Sequence, residues 1–379
     1  MPAARPINES TTDRAVRADD APNTGKRRRT GEFEDGDARH IPSEPRSAAP
    51  ALFYRSSTGR IGRNISMSGL SRVLVVVLTA LAGIAVPALL APQAHAAPIV
   101  RWETRVSDRI LDIGVSSPHL EGPDWSVKVV RLVVPPGWSP TANRTWPTVW
   151  VLHGGFDDHK SWTDKGGLEA LTAGREAIFV LPETSWCSAY SDWWNYGAYG
   201  PPAWEKYLLE DVRGLLESRY RANTTRAVAG NSMGGLGAMK FAAEYPGMFR
   251  AAASFSGNVD PLRESGAPGG PDLPGLGCGA DWKRVWGDHA VPAQRAIWQE
   301  NNPYSRAADL VGIPLFVSYG RTGTVESTVY EQNYRFADRL RAVGAQVDER
   351  YVPTDGHDWP AWQRQLGNAL PMLLAAVGA

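Results

Sequence analysis

The 379 residues carry 40 Lys and Arg against 40 Asp and Glu, a formal net charge of +0. That balance excludes a protein built to hold nucleic acid or another polyanion by bulk electrostatics. Only 2 Cys are present, too few for a cysteine-built zinc site or a disulfide-rich scaffold, and no metal or organic cofactor is expected.

Residues 1–66 are rich in Arg, Asp, Glu, Ser and Pro and poor in large apolar side chains. Such a stretch buries too little apolar surface to offset its ordering entropy, and it reads as a disordered tail. Its basic cluster Lys26-Arg27-Arg28-Arg29 is followed at once by Glu32, Glu34, Asp35 and Asp37, which makes it a solvated mixed-charge segment rather than a nucleic-acid arm. Residues 67–97 hold Arg72, an apolar run from Val73 to Leu90 and then Ala94-His95-Ala96, the layout of a secretory signal. The run is long for a signal, so an uncleaved membrane anchor is the alternative and would be the chain's one contact with a membrane. Pro87 and the Ala-x-Ala site favour cleavage. Met67 stands where a signal would start, so residues 1–66 also fit an upstream start assignment. The expected destination is extracytoplasmic, secreted or in the cell envelope, and residues 98–379 are expected to form one large domain.

Within that domain Ser126 to Val134 alternates and is β-branched, a strand closed by Pro135-Pro136. Thr148 to Leu152 and Ala177 to Leu181 are short continuous apolar runs, as expected of strands buried on both faces of a parallel sheet. Gly167 to Ala173 and Trp204 to Tyr220 have helical spacing. Then come a strand at Arg226 to Ala229, a helix from Leu236 to Tyr245, and strands at Ala251 to Phe255 and Pro314 to Tyr319. Tyr330 to Val343 reads as a helix, Gln346 to Val352 as the last strand and Ala361 to Val377 as the last helix. Strands alternating with helices predict an α/β fold with a mostly parallel, doubly wound sheet. Asn258 to Ser305, rich in Gly, Pro and Trp, breaks the rhythm and reads as an insertion. Cys187 and Cys278 are compatible with one disulfide in an exported chain, but spacing does not show whether they meet.

The segment Val228 to Gly237 reads V-A-G-N-S-M-G-G-L-G and contains G-x-S-x-G centred on Ser232. Between a strand and a helix this is the nucleophile elbow of an α/β-hydrolase. A serine hydroxyl needs an adjacent base, and in that fold the partners follow in the order Ser, acid, His, on loops after later strands. Only His357 follows the last predicted strand. Glu326, after the strand ending at Tyr319, is the expected acid, with Glu331 second. Asp355 and Asp358 stand too close to His357 in sequence and are expected to shape its loop. The oxyanion donors are expected to be the backbone N–H groups of Met233 and of Gly155, in the loop Val151 to Phe156. His153 there is expected to be a structural hydrogen bonder.

Together these pieces resemble the esterase-D/mycolyltransferase branch of the α/β-hydrolases, over about Trp125 to Leu374. The resemblance rests on the Leu152-His-Gly-Gly-x-Asp-Asp158 loop with Trp162, on Tyr190-Ser-Asp-Trp-Trp194 and on Ser232-Met-Gly-Gly235. It also rests on Ser256-Gly-Asn-Val-Asp-Pro261, the Glu326 loop and Gly356-His-Asp-Trp-Pro-Ala-Trp362. It implies an exported enzyme that forms an acyl-serine and passes the acyl group to water or to a lipid, sugar or glycerol hydroxyl. The triad would be Ser232, His357 and Glu326. Trp162, Asp158 and Trp194 are the candidate substrate contacts, and Trp186, Trp193, Trp282 and Trp286 either line an acyl groove or pack. The chain departs from the mycolyltransferases at His153, where they carry an aspartate that holds the sugar acceptor, which weighs against trehalose. A dedicated mycolyl- or diacylglycerol-type acyltransferase and a non-catalytic envelope protein are the alternatives.

Overall fold

The computed structural model describes residues 97–120, 122, 127–263 and 282–379. The tail, the signal or anchor up to Ala96, and Cys278 lie outside the described residues. Among the described residues no helix is long and apolar enough to cross a membrane.

Among the described residues nine strands form one sheet in the order β1-β2-β3-β5-β4-β6-β7-β8-β9. The first two, β1 (Ile99–Arg105) and β2 (Ile110–Ser116), were not anticipated from the sequence; with β3 (Val127–Val133) they form an antiparallel meander. β3 joins β5 (Ile178–Pro182) antiparallel. From there β4 (Trp146–Leu152), β6 (Ala222–Asn231), β7 (Ala252–Phe255), β8 (Leu315–Tyr319) and β9 (Val347–Tyr351) run parallel. The expected doubly wound sheet is therefore present, with an antiparallel margin.

The central parallel strands β4, β5, β7 and β8 are buried on both faces, as their largely apolar runs require, while β9 is a partly exposed margin strand. In β4, Trp150 and Leu152 enter one core layer and Val149 and Val151 the other, the period-2 alternation of a strand. Two short helices, α1 (Ser161–Asp164) and α2 (Leu168–Leu171), follow β4. The long segment before β6 comprises α3 (Trp204–Lys206), a π-helical stretch Tyr207–Val212 and α4 (Arg213–Arg219). Next is α5 (Met233–Glu244), buried along almost its whole length. In the insertion lie α6 (Lys283–Trp286) and α7 (Pro292–Asn301), and α8 (Thr324–Ala342) and α9 (Trp359–Val377) complete the chain.

α9 shows why a helix forms there. Asp358 caps it by accepting from the Ala361 N–H at 3.0 Å, with proline in the first turn where no N–H partner is lost. Gly378 ends it in the left-handed conformation. Leu366, Leu370, Leu373 and Val377 recur along one face and pack beneath β4, β6 and β7. Burying each such side chain contributes about 1.5–3 kcal/mol before ordering costs.

The tryptophans of the insertion pack on one another: Trp286 meets Trp298 edge-on at 5.1 Å and Trp282 meets Trp298 at 6.0 Å. Trp286 and Trp193 are buried, so both serve packing rather than an open groove.

Candidate active site

The elbow is built by β6 running into α5. Ser232 between them takes φ 53° and ψ −118°, a region that costs a non-glycine residue of order 1–3 kcal/mol. The turn is possible because a Cβ at Gly230 would run into the Gly234 carbonyl, and one at Gly234 into the Leu152 carbonyl. Ser232 is 8% exposed, at the C-terminal end of a central strand.

The loop after β9 brings His357 to it. The imidazole Nε2 lies 3.0 Å from Ser232 Oγ, and Nδ1 lies 2.8 Å from Glu326 Oε2. A carboxylate only accepts, so Nδ1 carries the proton and Nε2 is left to accept from the serine hydroxyl. Trp362 stands edge-on to the His357 ring at 5.0 Å. Asp355 and Asp358 shape the surroundings: Asp358 caps α9, while Asp355 accepts from Arg364 and, at 3.1 Å, from Gln365 Nε2.

Glu326 sits in the first turn of α8, which begins at Thr324, six residues before the apolar period becomes legible at Tyr330. It is 0% exposed. Its Oε1 accepts from Ser256 Oγ at 2.9 Å and from the Gly320 N–H at 2.6 Å. Ser256, which follows β7 directly, entered the sequence reading only as the start of the Ser256-to-Pro261 stretch of the resemblance; its bond to the acid was not anticipated. The Glu326 and His357 loops meet at Gly320, where any Cβ would strike the Asp355 carbonyl. Glu331 is exposed and pairs with Arg263, away from the imidazole.

The loop after β4 runs close to the serine: a Cβ at Gly154 would lie 2.9 Å from Asn231 Nδ2 and 3.3 Å from Ser232 Cβ. His153 is buried beneath it, with Nδ1 2.7 Å from the Gly154 carbonyl and Nε2 3.1 Å from the Thr184 N–H. Burial lowers its pKa against the pull of the nearby carbonyl and carboxylates, so the ring is neutral. Trp162 is fully buried and donates its indole N–H to the Leu152 carbonyl at 3.0 Å. Asp158 turns the chain into α1, accepting from the Lys160 N–H at 2.8 Å. Trp162 therefore belongs to the scaffold rather than to a substrate surface, and Asp158 is engaged in its own turn. Trp194 tilts against Tyr196 at 6.3 Å and meets none of the triad side chains. The aromatic surface lies elsewhere: Phe156, 59% exposed, meets Trp186, 58% exposed, at 5.7 Å. Cys187 is disulfide-bonded, and among the described residues no cysteine is free.

Beside this loop runs a buried charged row. Arg131 grips Asp112 with two bonds of 2.7 and 2.8 Å, and Lys128 reaches Glu183 at 2.9 Å. Burial raises the Glu183 pKa, but hydrogen bonds from His159 and Lys128 and their charges outweigh it and hold the carboxyl at about 2. A depressed folded-state pKa stabilises above the unfolded value and loses that stability as pH falls through the folded one. Glu183→Gln should therefore melt below the wild type above about pH 4.5, the gap closing as pH falls toward 2. Thermal melts of both proteins by circular dichroism across that range check this; a gap that does not change with pH would refute it.

Known proteins resemble this chain in sequence and in fold. An esterase of Mycobacterium tuberculosis is 34% identical over 173 residues, which is 42% of this chain and 36% of that protein; the chain thus spans about a third of that relative's length. The diacylglycerol acyltransferase/mycolyltransferase Ag85B of Mycobacterium intracellulare is 29% identical over 260 residues, covering 62% of this chain and 76% of that one. Among solved structures, the S-formylglutathione hydrolase of Agrobacterium tumefaciens aligns at a TM-score of 0.57 with 17% identity, over 74% of this chain and 99% of that one. MPT51 of Mycobacterium tuberculosis aligns at 0.54 with 21% identity, over 68% and 97%. These likenesses in structure concern the α/β-hydrolase-type fold. The family described as "Putative esterase" matches residues 123–373, more than half of the sequence, and the chain belongs to that esterase family.

Proposed function

We propose that this chain is an exported serine enzyme that cleaves carboxylic esters through an acyl-serine and passes the acyl group to water or an alcohol. The observation that carries the reading is the unbroken relay from Ser232 Oγ through His357 to buried Glu326, at 3.0 and 2.8 Å. His357 takes the hydroxyl proton as Ser232 Oγ bonds to the ester carbon, and the carbonyl oxygen becomes an oxyanion held by the N–H groups of Met233 and Gly155. The tetrahedral adduct collapses, the C–O bond to the alcohol breaks, and the alcohol leaves with the proton from Nε2. Water or a second alcohol then gives a proton to His357 and attacks the acyl carbon; as that adduct collapses the bond from the acyl carbon to Oγ breaks and Nε2 returns the proton to Ser232. Glu326 keeps the imidazole in the tautomer that can accept and steadies its charged form. No step calls on a metal.

Export is supported by the apolar run Val73 to Leu90 followed by Ala94-His95-Ala96. The exposed Phe156 and Trp186, on the loops after β4 and β5, offer apolar surface for an acyl chain. His153 stands against trehalose as acceptor: both ring nitrogens are spent on backbone groups and the ring is buried.

The test uses the full chain with p-nitrophenyl acyl esters from C2 to C16, with and without glycerol, glucose or trehalose. Turnover that ignores added alcohol marks an esterase; preference for long chains with acylated glycerol or sugar among the products marks a dedicated acyltransferase. No turnover, together with no labelling of Ser232 by a fluorophosphonate, would sink the enzymatic reading and leave an envelope binding protein.

A further inference from the structure

Three consecutive carbonyls in the loop above Ser232 each receive a hydrogen bond from a buried side chain. Trp162 Nε1 donates to Leu152 O at 3.0 Å, the Tyr190 hydroxyl to His153 O at 2.9 Å, and His153 Nδ1 to Gly154 O at 2.7 Å. All three donors are buried. The His153 bond has a fixed polarity. The Thr184 N–H can only donate, and it does so to Nε2 at 3.1 Å; that nitrogen must therefore carry a lone pair, and the single proton of the neutral ring sits on Nδ1. Thr184 is held in turn by Ser188 Oγ at 2.9 Å, and Ser188 Oγ also accepts the Tyr190 N–H at 3.2 Å.

A trans peptide points its C=O and the following N–H in opposite directions, and the one cis bond among the described residues is Pro201-Pro202. Drawing the Gly154 carbonyl toward the buried imidazole therefore turns the Gly155 N–H to the other side of the peptide plane, away from the ring. The same peptide lies beside the elbow, since a Cβ at Gly154 would come within 2.9 Å of Asn231 Nδ2 and 3.3 Å of Ser232 Cβ.

We infer that His153, assisted by Tyr190 and Trp162, is a positioning residue that aims the Gly155 N–H at the developing oxyanion. The inference rests on the reading of Ser232 as nucleophile. Two glycines in a row leave this loop a wide choice of backbone angles. Side-chain bonds to its carbonyls remove that choice before substrate arrives, so no reorganisation is needed at the transition state. A neutral imidazole with one defined proton suits the task, because a doubly protonated ring would lose its acceptor for Thr184.

Two variants separate positioning from bulk support. His153→Asn keeps an N–H donor near the Nδ1 position and loses the acceptor for Thr184; His153→Gln keeps an acceptor near the Nε2 position and loses the donor to Gly154. Both are assayed with a p-nitrophenyl ester and with its thiono counterpart, whose C=S sulfur is a weak hydrogen-bond acceptor and gains less from an oxyanion donor. His153→Gln should lower kcat on the oxoester about a hundredfold with KM within about twofold. The preference for oxoester over thionoester should shrink with it. His153→Asn should stay within about tenfold of wild type and keep the preference. If His153→Gln does not fold, Tyr190→Phe carries the test and should lower kcat about tenfold with the same change in preference. Equal losses on both esters, or equal losses in the Asn and Gln variants, would overturn the inference. Absence of turnover and of fluorophosphonate labelling in the wild type would instead overturn the serine-enzyme reading, and this inference with it.

Discussion

Ser232→Ala is expected to lower kcat for a p-nitrophenyl ester by about 10⁶-fold, equivalent to roughly 8 kcal/mol of barrier. The fold should survive the change. The hydroxyl's one side-chain partner is His357 at 3.0 Å, and alanine takes up the same backbone angles at the same cost, so stability should shift by only about 1 kcal/mol. His357→Ala should lose about as much activity, because a nucleophile without its base is as ineffective as a base without its nucleophile. The double variant should then be no worse than either single one. Steady-state rates for the three variants, with melts to confirm folding, check this. Losses that multiply in the double variant would mean that the two side chains act independently, contrary to the relay.

Glu326→Gln should lower kcat by about 10⁴-fold, less than loss of the nucleophile. The carboxylate accepts three donors: His357 Nδ1, Ser256 Oγ and the Gly320 N–H. A glutamine has one oxygen and one NH₂. If the NH₂ faces His357, the imidazole must accept at Nδ1 and carry its proton on Nε2, where it can no longer take one from Ser232. If the NH₂ faces Gly320, two donors meet in a buried site. The first arrangement disables the relay; the second keeps the tautomer but opposes two buried donors and removes the charge that steadies the imidazolium, so either costs activity. Glu331→Gln, by contrast, removes an exposed pairing with Arg263 and should leave kcat within about twofold. A silent Glu326→Gln beside an inactive Glu331→Gln would reverse the assignment of the acid.

What the sequence made legible follows from which signals are local. The runs of β4, β5 and β8 are almost wholly apolar because both faces are covered, and the elbow glycines stand next to the serine they serve. The order Ser, acid, His places Glu326 and His357 through topology alone. β1 escaped notice because it is an exposed margin strand, with Arg101, Glu103 and Arg105 set among Ile99 and Trp102, so no buried stripe marks it. The start of α8 was missed because its first turn is polar, and Glu326 there faces the site rather than solvent. Trp162 was expected against substrate since a sequence does not say which side of a loop a tryptophan takes; its indole supports the Leu152 carbonyl instead. The three donors to the loop above Ser232 stand at positions 153, 162 and 190, and only folding shows that they converge on consecutive carbonyls.

The order of the strands has a consequence for how such an enzyme can be held. The domain is entered through β1 at one margin of the sheet, and Ser232 follows β6, five strands away in the order β1-β2-β3-β5-β4-β6. At about 4.8 Å per strand this is a lateral offset of about 24 Å. A tether, lipid or solid support attached ahead of Ile99 would therefore take its load at one margin and leave the catalytic mouth open to a bulky or insoluble ester. Attachment through β9, two strands beyond the serine's other neighbour β7, would crowd the His357 loop that follows it. The amino-terminal side is thus the end by which this domain can be immobilised at work.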